Sequence, residues 1–149
     1  MHGGMTLREA RPDDAPELAL LAGELGYPAT TGELARRLAP LLDDRDHAVF
    51  VATGADGRAL GWVHAVVRRQ LESDDWVEVA GLVVGEPHRG GGAGAELLAA
   101  AERWAVARGL ALVQLRSNVV RERAHGFYRR LGYEQVKAQY LFRRRVPRG

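Results

Sequence analysis

Cysteine is absent from this chain of 149 residues, and its absence excludes several kinds of chemistry. Without thiols there can be no disulfides, no thiolate metal ligands and no cysteine nucleophile. Lysine is almost absent too, because Lys137 is the single lysine and arginine supplies nearly all of the positive charge. We predict no metal site in a chain without thiolates, and we predict no nucleic-acid partner because the net charge of +2 is small.

Long apolar runs are also missing from the sequence. No stretch of about 18 apolar residues is present, so no membrane span is predicted, and Met1 to Met5 lack the apolar core of a signal peptide. We therefore expect a cytoplasmic protein without a membrane partner. With 46% hydrophobic and 27% charged residues, the chain suits one globular domain, which we place at residues 6–146 after a loose tail of residues 1–5.

Apolar periodicity predicts strands and helices in an order typical of a mixed sheet flanked by helices. The predicted strands lie at residues 6–10, 48–53, 59–68, 76–84 and 111–116, with one or two more between residues 133 and 144. The predicted helices lie at residues 15–25, 32–42, 94–108 and 120–131. Thr31 is the predicted cap of the second helix, since a threonine oxygen accepts hydrogen bonds from free helical amides.

A glycine-rich turn joins the strand at residues 76–84 to the helix that follows. It contains four glycines, Gly90, Gly91, Gly92 and Gly94. Residues without a Cβ atom let a ligand approach the main chain, and the first helical amides add positive potential at the same end. This combination predicts a binding site for a pyrophosphate group.

Three known motifs are possible interpretations of this turn. A P-loop requires Lys and Ser or Thr after its last glycine, whereas this chain continues Ala95-Glu96-Leu97. The dinucleotide pattern G-x-G-x-x-G/A fits Gly90, Gly92 and Ala95, and it would make the protein an NADP-binding oxidoreductase with Arg116 on the extra phosphate. The next predicted strand carries no acid where that fold often binds the ribose.

The third interpretation is Arg-x-x-Gly-x-Gly, from Arg89, Gly92 and Gly94. Further along, residues 118–133 contain Asn-x5-Ala-x2-Phe-Tyr-x3-Gly-Tyr. Together these two motifs resemble the GNAT superfamily of acetyl-CoA-dependent N-acetyltransferases, over about residues 76–133. The resemblance implies an α/β (α+β) single domain whose mixed, mostly antiparallel central sheet has six or seven strands flanked by about four helices.

The resemblance also implies how acetyl-CoA would be bound, largely through main-chain groups. One amide of the strand before the turn would also stabilise the oxyanion of the reaction. The implied cofactor-binding residues are Leu82, Val83, Val84, Arg89, Gly90, Gly91, Gly92, Ala93, Gly94, Ala95 and Asn118.

Acetyl transfer to an amine requires a base for the ammonium and an acid for the leaving thiolate. Tyr128 occupies the tyrosine position of the second motif, which implies the acid. Glu78 lies eleven residues before Arg89, where one branch of the family carries its glutamate, and is the leading base. The sequence leaves alternative bases open: Glu72, Asp74, Asp75 and His64.

The acceptor is expected to be a primary amine on a small molecule, although a protein amine stays open. Three acidic residues near the second helix, Asp43, Asp44 and Asp46, either attract a cationic acceptor or are simply solvated. The sequence also leaves open a homodimer and a catalytically idle acyl-CoA-binding sensor.

Overall fold

The computed structural model describes residues 4–117 and 122–147, and the chain divides into two compact units, Met1–Arg116 and Ser117–Gly149. The first unit is built on a five-stranded sheet in the order β1-β2-β3-β4-β5. The strands are β1 (Thr6–Glu9), β2 (His47–Thr53), β3 (Ala59–Gln70), β4 (Ser73–Val84) and β5 (Val113–Leu115). Its helices are α1 (Ala15–Glu24), α2 (Thr31–Leu42) and α3 (Ala93–Ala107).

Connection lengths explain the directions of the strands that follow β2. Strands β1 to β4 pair antiparallel, and β2 turns into β3 through a short loop in which Gly57 has a φ of +81°. Strand β5 follows the long crossover through α3 and pairs parallel to β4. The sheet is mixed and mostly antiparallel, as the sequence predicts.

Helices cover both faces of this sheet. Helix α3 packs on one face, where Leu97 reaches 3.2 Å from the point at which Gly61 would carry a Cβ atom. On the other face Leu18 of α1 and Leu38 of α2 form a core cluster with Val49 and Val51 of β2. This second face also carries the polar side chains described below.

Polar side chains order the turn before α1 and cap the start of α2. The carboxylate of Asp14 accepts two hydrogen bonds from the guanidinium of Arg8, at 2.7 and 2.8 Å, and one from the Arg11 amide at 2.7 Å. Thr30 caps α2 by accepting a hydrogen bond from the Glu33 amide at 3.0 Å. The predicted cap, Thr31, is wrong by one residue, because Thr31 already lies inside the helix.

The second unit contains α4 (Glu122–Arg130), which is followed by Gly132 at a φ of +92°. The predicted strands between residues 133 and 144 are wrong, since that segment forms no regular strand within the described chain. Its apolar side chains, including Tyr140 and Phe142, are exposed, so burial does not stabilise an extended pairing there. The described sheet has five strands rather than six or seven, while the predicted fold class holds.

Within residues 4–117 and 122–147, no helix is long and apolar enough to cross a membrane. Among the same residues, no three His, Cys, Asp or Glu side chains gather closely enough to hold a metal ion.

Candidate functional site

One edge of β4 is open at its carboxyl end. Strand β4 pairs with β3 from Ser73 to Val84, but it pairs with β5 only from Val77 to Val79. Residues 80–84 therefore have β3 on one side and no strand partner on the other within residues 4–117 and 122–147. An unpaired strand edge offers main-chain hydrogen bonds to an extended ligand. The predicted pantetheine residues, Leu82, Val83 and Val84, all lie on this open edge.

A bulge shapes the same strand just before the open edge. Ala65 of β3 pairs with Val79, and the preceding His64 pairs with Gly81, so Ala80 is the extra residue. Such a bulge bends a strand and raises its local twist. Gly81 is required here, because a Cβ atom would stand only 2.9 Å from the ring of Trp62.

The glycine-rich turn follows directly and is anchored at its start. The Gly85 amide donates to the Leu60 carbonyl at 2.8 Å, and the Glu86 amide donates to the Glu24 carboxylate at 3.1 Å. The guanidinium of Arg89 donates to the Val84 carbonyl at 3.2 Å, so this side chain ties the turn back to the end of β4.

The turn ends in a helix N-terminus suited to an anion. Gly92 precedes α3 with a φ of +93°, a left-handed conformation that favours glycine, and its carbonyl accepts a helical hydrogen bond from the Glu96 amide at 3.0 Å. The amides of Ala93, Gly94 and Ala95 come before that bond and lie at the positive end of the helix dipole. No Cβ would meet a neighbour within 4 Å at Gly90, which leaves space beside the turn.

Glu78 is engaged in ion pairs. Its carboxylate lies 2.8 Å from the guanidinium of Arg116 and 3.5 Å from that of Arg68, and its side chain is only 13% exposed. Arg116 is the residue that the oxidoreductase alternative assigns to a phosphate, and here it holds a carboxylate instead. Glu78 thus belongs to a charged cluster on the sheet face opposite α3.

Two histidines lie beside the bulge on the same face. The Nδ1 atom of His47 is 2.9 Å from the Nε2 atom of His64, and the two rings are stacked at 23°. Burial lowers the pKa of His64 to about 4, and the positive charges of His47 and Arg68 act in the same direction. On its outer side, His47 Nε2 lies 3.8 Å from a carboxylate oxygen of Asp44.

Sequence reasoning named His64 only as an alternative base and missed His47. A signal was available, because each histidine lies beside an apolar strand segment, but the contact between them depends on the register of β2 against β3. That register places His47 opposite Val66 and His64 opposite Val49, which brings both rings onto one face.

The other acidic candidates lie among arginines. Asp43, Asp44 and Asp46 line an open depression of about 620 Å³ together with Arg45, Arg69 and Arg108. Arg69 pairs with Asp46 at 2.6 Å and with Asp75 at 3.2 Å, and the Asp46 pKa falls because Arg69 donates to its carboxylate. The depression therefore balances its charges, and Glu72 and Asp74 lie exposed at the β3–β4 turn.

Tyr128 belongs to the second unit, where it is half-buried on α4. Its ring centroid lies 5.4 Å from that of Phe127 and 6.2 Å from that of Tyr133. Asn118, the remaining predicted cofactor residue, lies outside the described residues.

Known proteins provide an independent comparison. A family model described as "Acetyltransferase (GNAT) family" matches residues 14–133. The aminoalkylphosphonate N-acetyltransferase of Salmonella typhimurium (strain LT2) is 35% identical over 135 residues, which cover 87% of this chain and 84% of that relative. The aminoglycoside N(6')-acetyltransferase type 1 of Stenotrophomonas maltophilia is 31% identical over 142 residues, which cover 93% and 92% respectively.

Solved structures agree on the fold. The structure of AAC(6')-Iy in complex with the bisubstrate analogue CoA-S-monomethyl-acetylneamine has a TM-score of 0.85 to this chain at 22% identity, covering 95% of this chain and 99% of that one. The predicted fold class and the predicted use of acetyl-CoA for N-acetyl transfer are confirmed. The oxidoreductase and idle-sensor alternatives are therefore wrong. The chain belongs to the GNAT acetyltransferase family.

Proposed function

We propose that this N-acetyltransferase acetylates a primary amine on a small molecule by direct transfer from acetyl-CoA. The observation that carries the proposal is similarity, over most of the chain, to two N-acetyltransferases named for small amine acceptors. Direct transfer suits a chain without cysteine, because a thioester is already activated and needs only a well-placed amine.

We assign acetyl-CoA to the open edge of β4 and the turn after it. The main chain of Leu82, Val83 and Val84 would pair with the pantetheine arm as an added strand, and one of these amides would stabilise the oxyanion. The pyrophosphate would accept hydrogen bonds from the turn and from the amides of Ala93 to Ala95. Arg89 would order this turn through its bond to the Val84 carbonyl.

Tyr128 as the acid for the leaving thiolate stays a prediction, and it has a direct test. Tyr128→Phe should lower kcat by about 100-fold, because general acids contribute about that much, while the KM for acetyl-CoA changes little. Steady-state kinetics from pH 6 to 10 provide the measurement. An unchanged kcat across that range would reject the acid role.

Glu78 as the base also stays a prediction. Its contacts with Arg68 and Arg116 weigh against that role, because an amine would compete with two guanidiniums for the same carboxylate oxygens. If Glu78 is the base, the Glu78→Gln variant should lose the part of the pH dependence of kcat that comes from the enzyme, and keep the part that comes from the amine.

Charge favours one class of small acceptor over the other. Arg68 and Arg116 are 44% and 68% exposed, and together they outnumber the single carboxylate between them. Guanidiniums bind phosphonate and carboxylate groups through paired hydrogen bonds. We therefore propose an acceptor that carries an anionic group near its amine, as an aminoalkylphosphonate does, rather than a polycation.

A panel of amines tests both levels of the proposal. Release of free thiol from acetyl-CoA should be fastest with a short aminoalkylphosphonate, slower with its uncharged amine analogue and slowest with an aminoglycoside. A lysine peptide is the control for a protein acceptor. Turnover of the peptide alone would contradict the small-molecule proposal, and a preference for the aminoglycoside would contradict the anionic acceptor.

We also retain a homodimer and a cytoplasmic location as proposals. Exposed apolar side chains at Tyr140, Leu141 and Phe142 support a homodimer, since an exposed apolar cluster is typical of an interface. Sedimentation equilibrium of the full chain tests the dimer, which a monomer mass at high concentration would contradict.

A further inference from the structure

The pair formed by His47 and His64 has no part in the acetyl-CoA site assigned above. Both rings are half-buried, beside the buried side chains of Val49 and Val66. Packing alone would be served by apolar residues, because burying a polar ring costs free energy that an apolar side chain does not incur. The two rings instead contact each other through ring nitrogens 2.9 Å apart.

This pair continues outward to solvent. Asp44 stands in the turn before β2, its side chain is 51% exposed, and its carboxylate lies 3.8 Å from His47 Nε2. The three side chains therefore form a row. It begins at the exposed carboxylate of Asp44, continues through the imidazole of His47 and ends at the imidazole of His64 on the inner part of the sheet face. The two imidazoles lie within hydrogen-bond distance of each other, whereas the 3.8 Å between His47 and Asp44 requires a bridging water for proton exchange.

The inner end of this row stands one strand away from the open edge of β4. His64 pairs in register with Gly81, which directly precedes Leu82. Paired residues on neighbouring antiparallel strands have Cα atoms roughly 5 Å apart. Gly81 brings no side chain to the position beside the imidazole, where the ring of Trp62 packs over it, and Ala80 before it is the bulged residue.

We propose that Asp44, His47 and His64 form the proton path of acetyl transfer, with His64 accepting the proton of the acceptor's ammonium group. The proposal rests on the proposed function, since it requires an amine placed beside Leu82. His64 is then the catalytic residue, because it touches the amine. His47 and Asp44 are positioning residues that hold its tautomer and carry the proton outward.

The step balances without any further reactant. The ammonium gives one proton to His64 Nδ1 as His64 passes its Nε2 proton to His47 Nδ1. His47 passes its own Nε2 proton toward Asp44 and water. The neutral amine then attacks the thioester carbonyl, the carbon–nitrogen bond forms, the carbon–sulfur bond breaks, and the thiolate takes up the second amine proton through the acid.

Charges around His64 favour this direction of transfer. His47 from β2 and Arg68 from β3 oppose a positive charge on His64, while Glu78 from β4 favours it less strongly. A positive charge on His47 instead faces the carboxylate of Asp44. The proton thus moves from the buried ring to the ring nearer solvent, and His64 stays neutral with a lone pair available for the amine.

Kinetics of His64→Gln provide the main test. With an accepted amine from the panel, kcat should fall about 100-fold at every pH from 6 to 9, because a pKa of about 4 keeps His64 neutral over that whole range. The affinity for acetyl-CoA by calorimetry should stay within about twofold of the native value, since His64 does not contact the cofactor in this proposal. Val49→Ala is the matched control, because Val49 faces His64 across the β2–β3 pair, and this variant should keep the native kcat.

Two further measurements separate proton transfer from packing. In His64→Ala, added imidazole should raise kcat by about tenfold, because a free base replaces the missing one. In His47→Asn, the solvent proton inventory should change from curved to linear. In the free enzyme, ¹⁵N shifts of the histidines should show neutral His64 with its proton on Nε2, and that measurement needs no acceptor.

The outcomes are distinct. A native enzyme that releases no thiol with any small amine contradicts the proposed function, whereas an active enzyme whose His64→Gln variant keeps the native kcat overturns the proton path. A His64 proton found on Nδ1 also overturns it, because that tautomer cannot accept the amine's proton there. A large fall of kcat in Glu78→Gln, with a native kcat in His64→Gln, would assign the base to Glu78.

Discussion

At the scale of single residues, Asp14 and His64 each have a lowered pKa for opposite reasons. The carboxylate of Asp14 is stabilised in its charged form, first by hydrogen bonds from Arg8 and then by the Arg11 amide. The imidazole of His64 is destabilised in its charged form by burial and by positive neighbours. One residue contributes to stability through a charge, and the other contributes only while it stays neutral.

Asp14→Asn should destabilise the fold by about 3 kcal/mol, because it leaves the partly buried guanidinium of Arg8 without its charged partner. Urea unfolding at pH 7 measures the change. Asp13→Asn is the control, since Asp13 is 81% exposed and 3.7 Å from Arg11, and its loss should change stability by less than about 0.5 kcal/mol. Equal effects from both variants would contradict the importance of the Arg8–Asp14 pair.

His64 should make stability depend on pH between about 6.5 and about 4. The unfolded chain binds a proton near pH 6.5 and the folded chain only near pH 4, so the contribution is complete above pH 6.5 and is lost as the pH falls toward 4. The loss amounts to roughly 3 kcal/mol, because each tenfold difference in proton affinity between the two states corresponds to about 1.4 kcal/mol. The difference in unfolding free energy between the native chain and His64→Gln, followed from pH 8 to 4, checks it. A constant difference would contradict the lowered pKa.

At the scale of elements, the proposed cofactor site depends on the turn between β4 and α3. Sequence reasoning located this turn because glycine content and a following helix are local features. It also found most strand and helix positions, since alternation and helical spacing depend on neighbouring residues only. It missed the end of the chain, where the apolar pattern around Tyr140 to Phe142 resembles a strand but lies exposed.

Gly92→Ala should raise the KM for acetyl-CoA about tenfold with little change in kcat. A left-handed φ of +93° costs an alanine about 1 to 2 kcal/mol, and the turn would relax away from the geometry that aims the α3 amides. Gly23→Ala in α1 is the matched control, because nothing lies within 4 Å of its added Cβ, and it should leave KM unchanged. A KM unaffected in Gly92→Ala would separate this turn from cofactor binding.

At the scale of the whole molecule, the site depends on distant parts of the chain brought together by register. Glu78 meets Arg116, and His47 meets His64, only because β4 pairs with β5 and β2 with β3 in one alignment. A shift of one residue would send these side chains to the opposite face. Sequence reasoning could therefore name Glu78 and His64 as candidates but could not identify their partners, which decide their chemistry.

We propose that residues 6–146 form a single cooperative domain, since the GNAT family match at residues 14–133 spans both compact units. Urea unfolding should give coincident transitions by tryptophan fluorescence, from Trp62, Trp76 and Trp104 of the first unit, and by NMR signals of Tyr128 and Tyr133 of the second. An earlier loss of the tyrosine signals would mean that the second unit unfolds by itself.

The central claim, direct acetyl transfer to a small primary amine, is tested most directly by a single turnover with isotopically labelled acetyl-CoA and an aminoalkylphosphonate. Mass spectrometry of the quenched mixture should find the labelled acetyl group on the acceptor nitrogen and no acetylated protein at any time point. Labelled acetyl on the protein before any product, or consumption of acetyl-CoA without an N-acetylated acceptor, would contradict the claim.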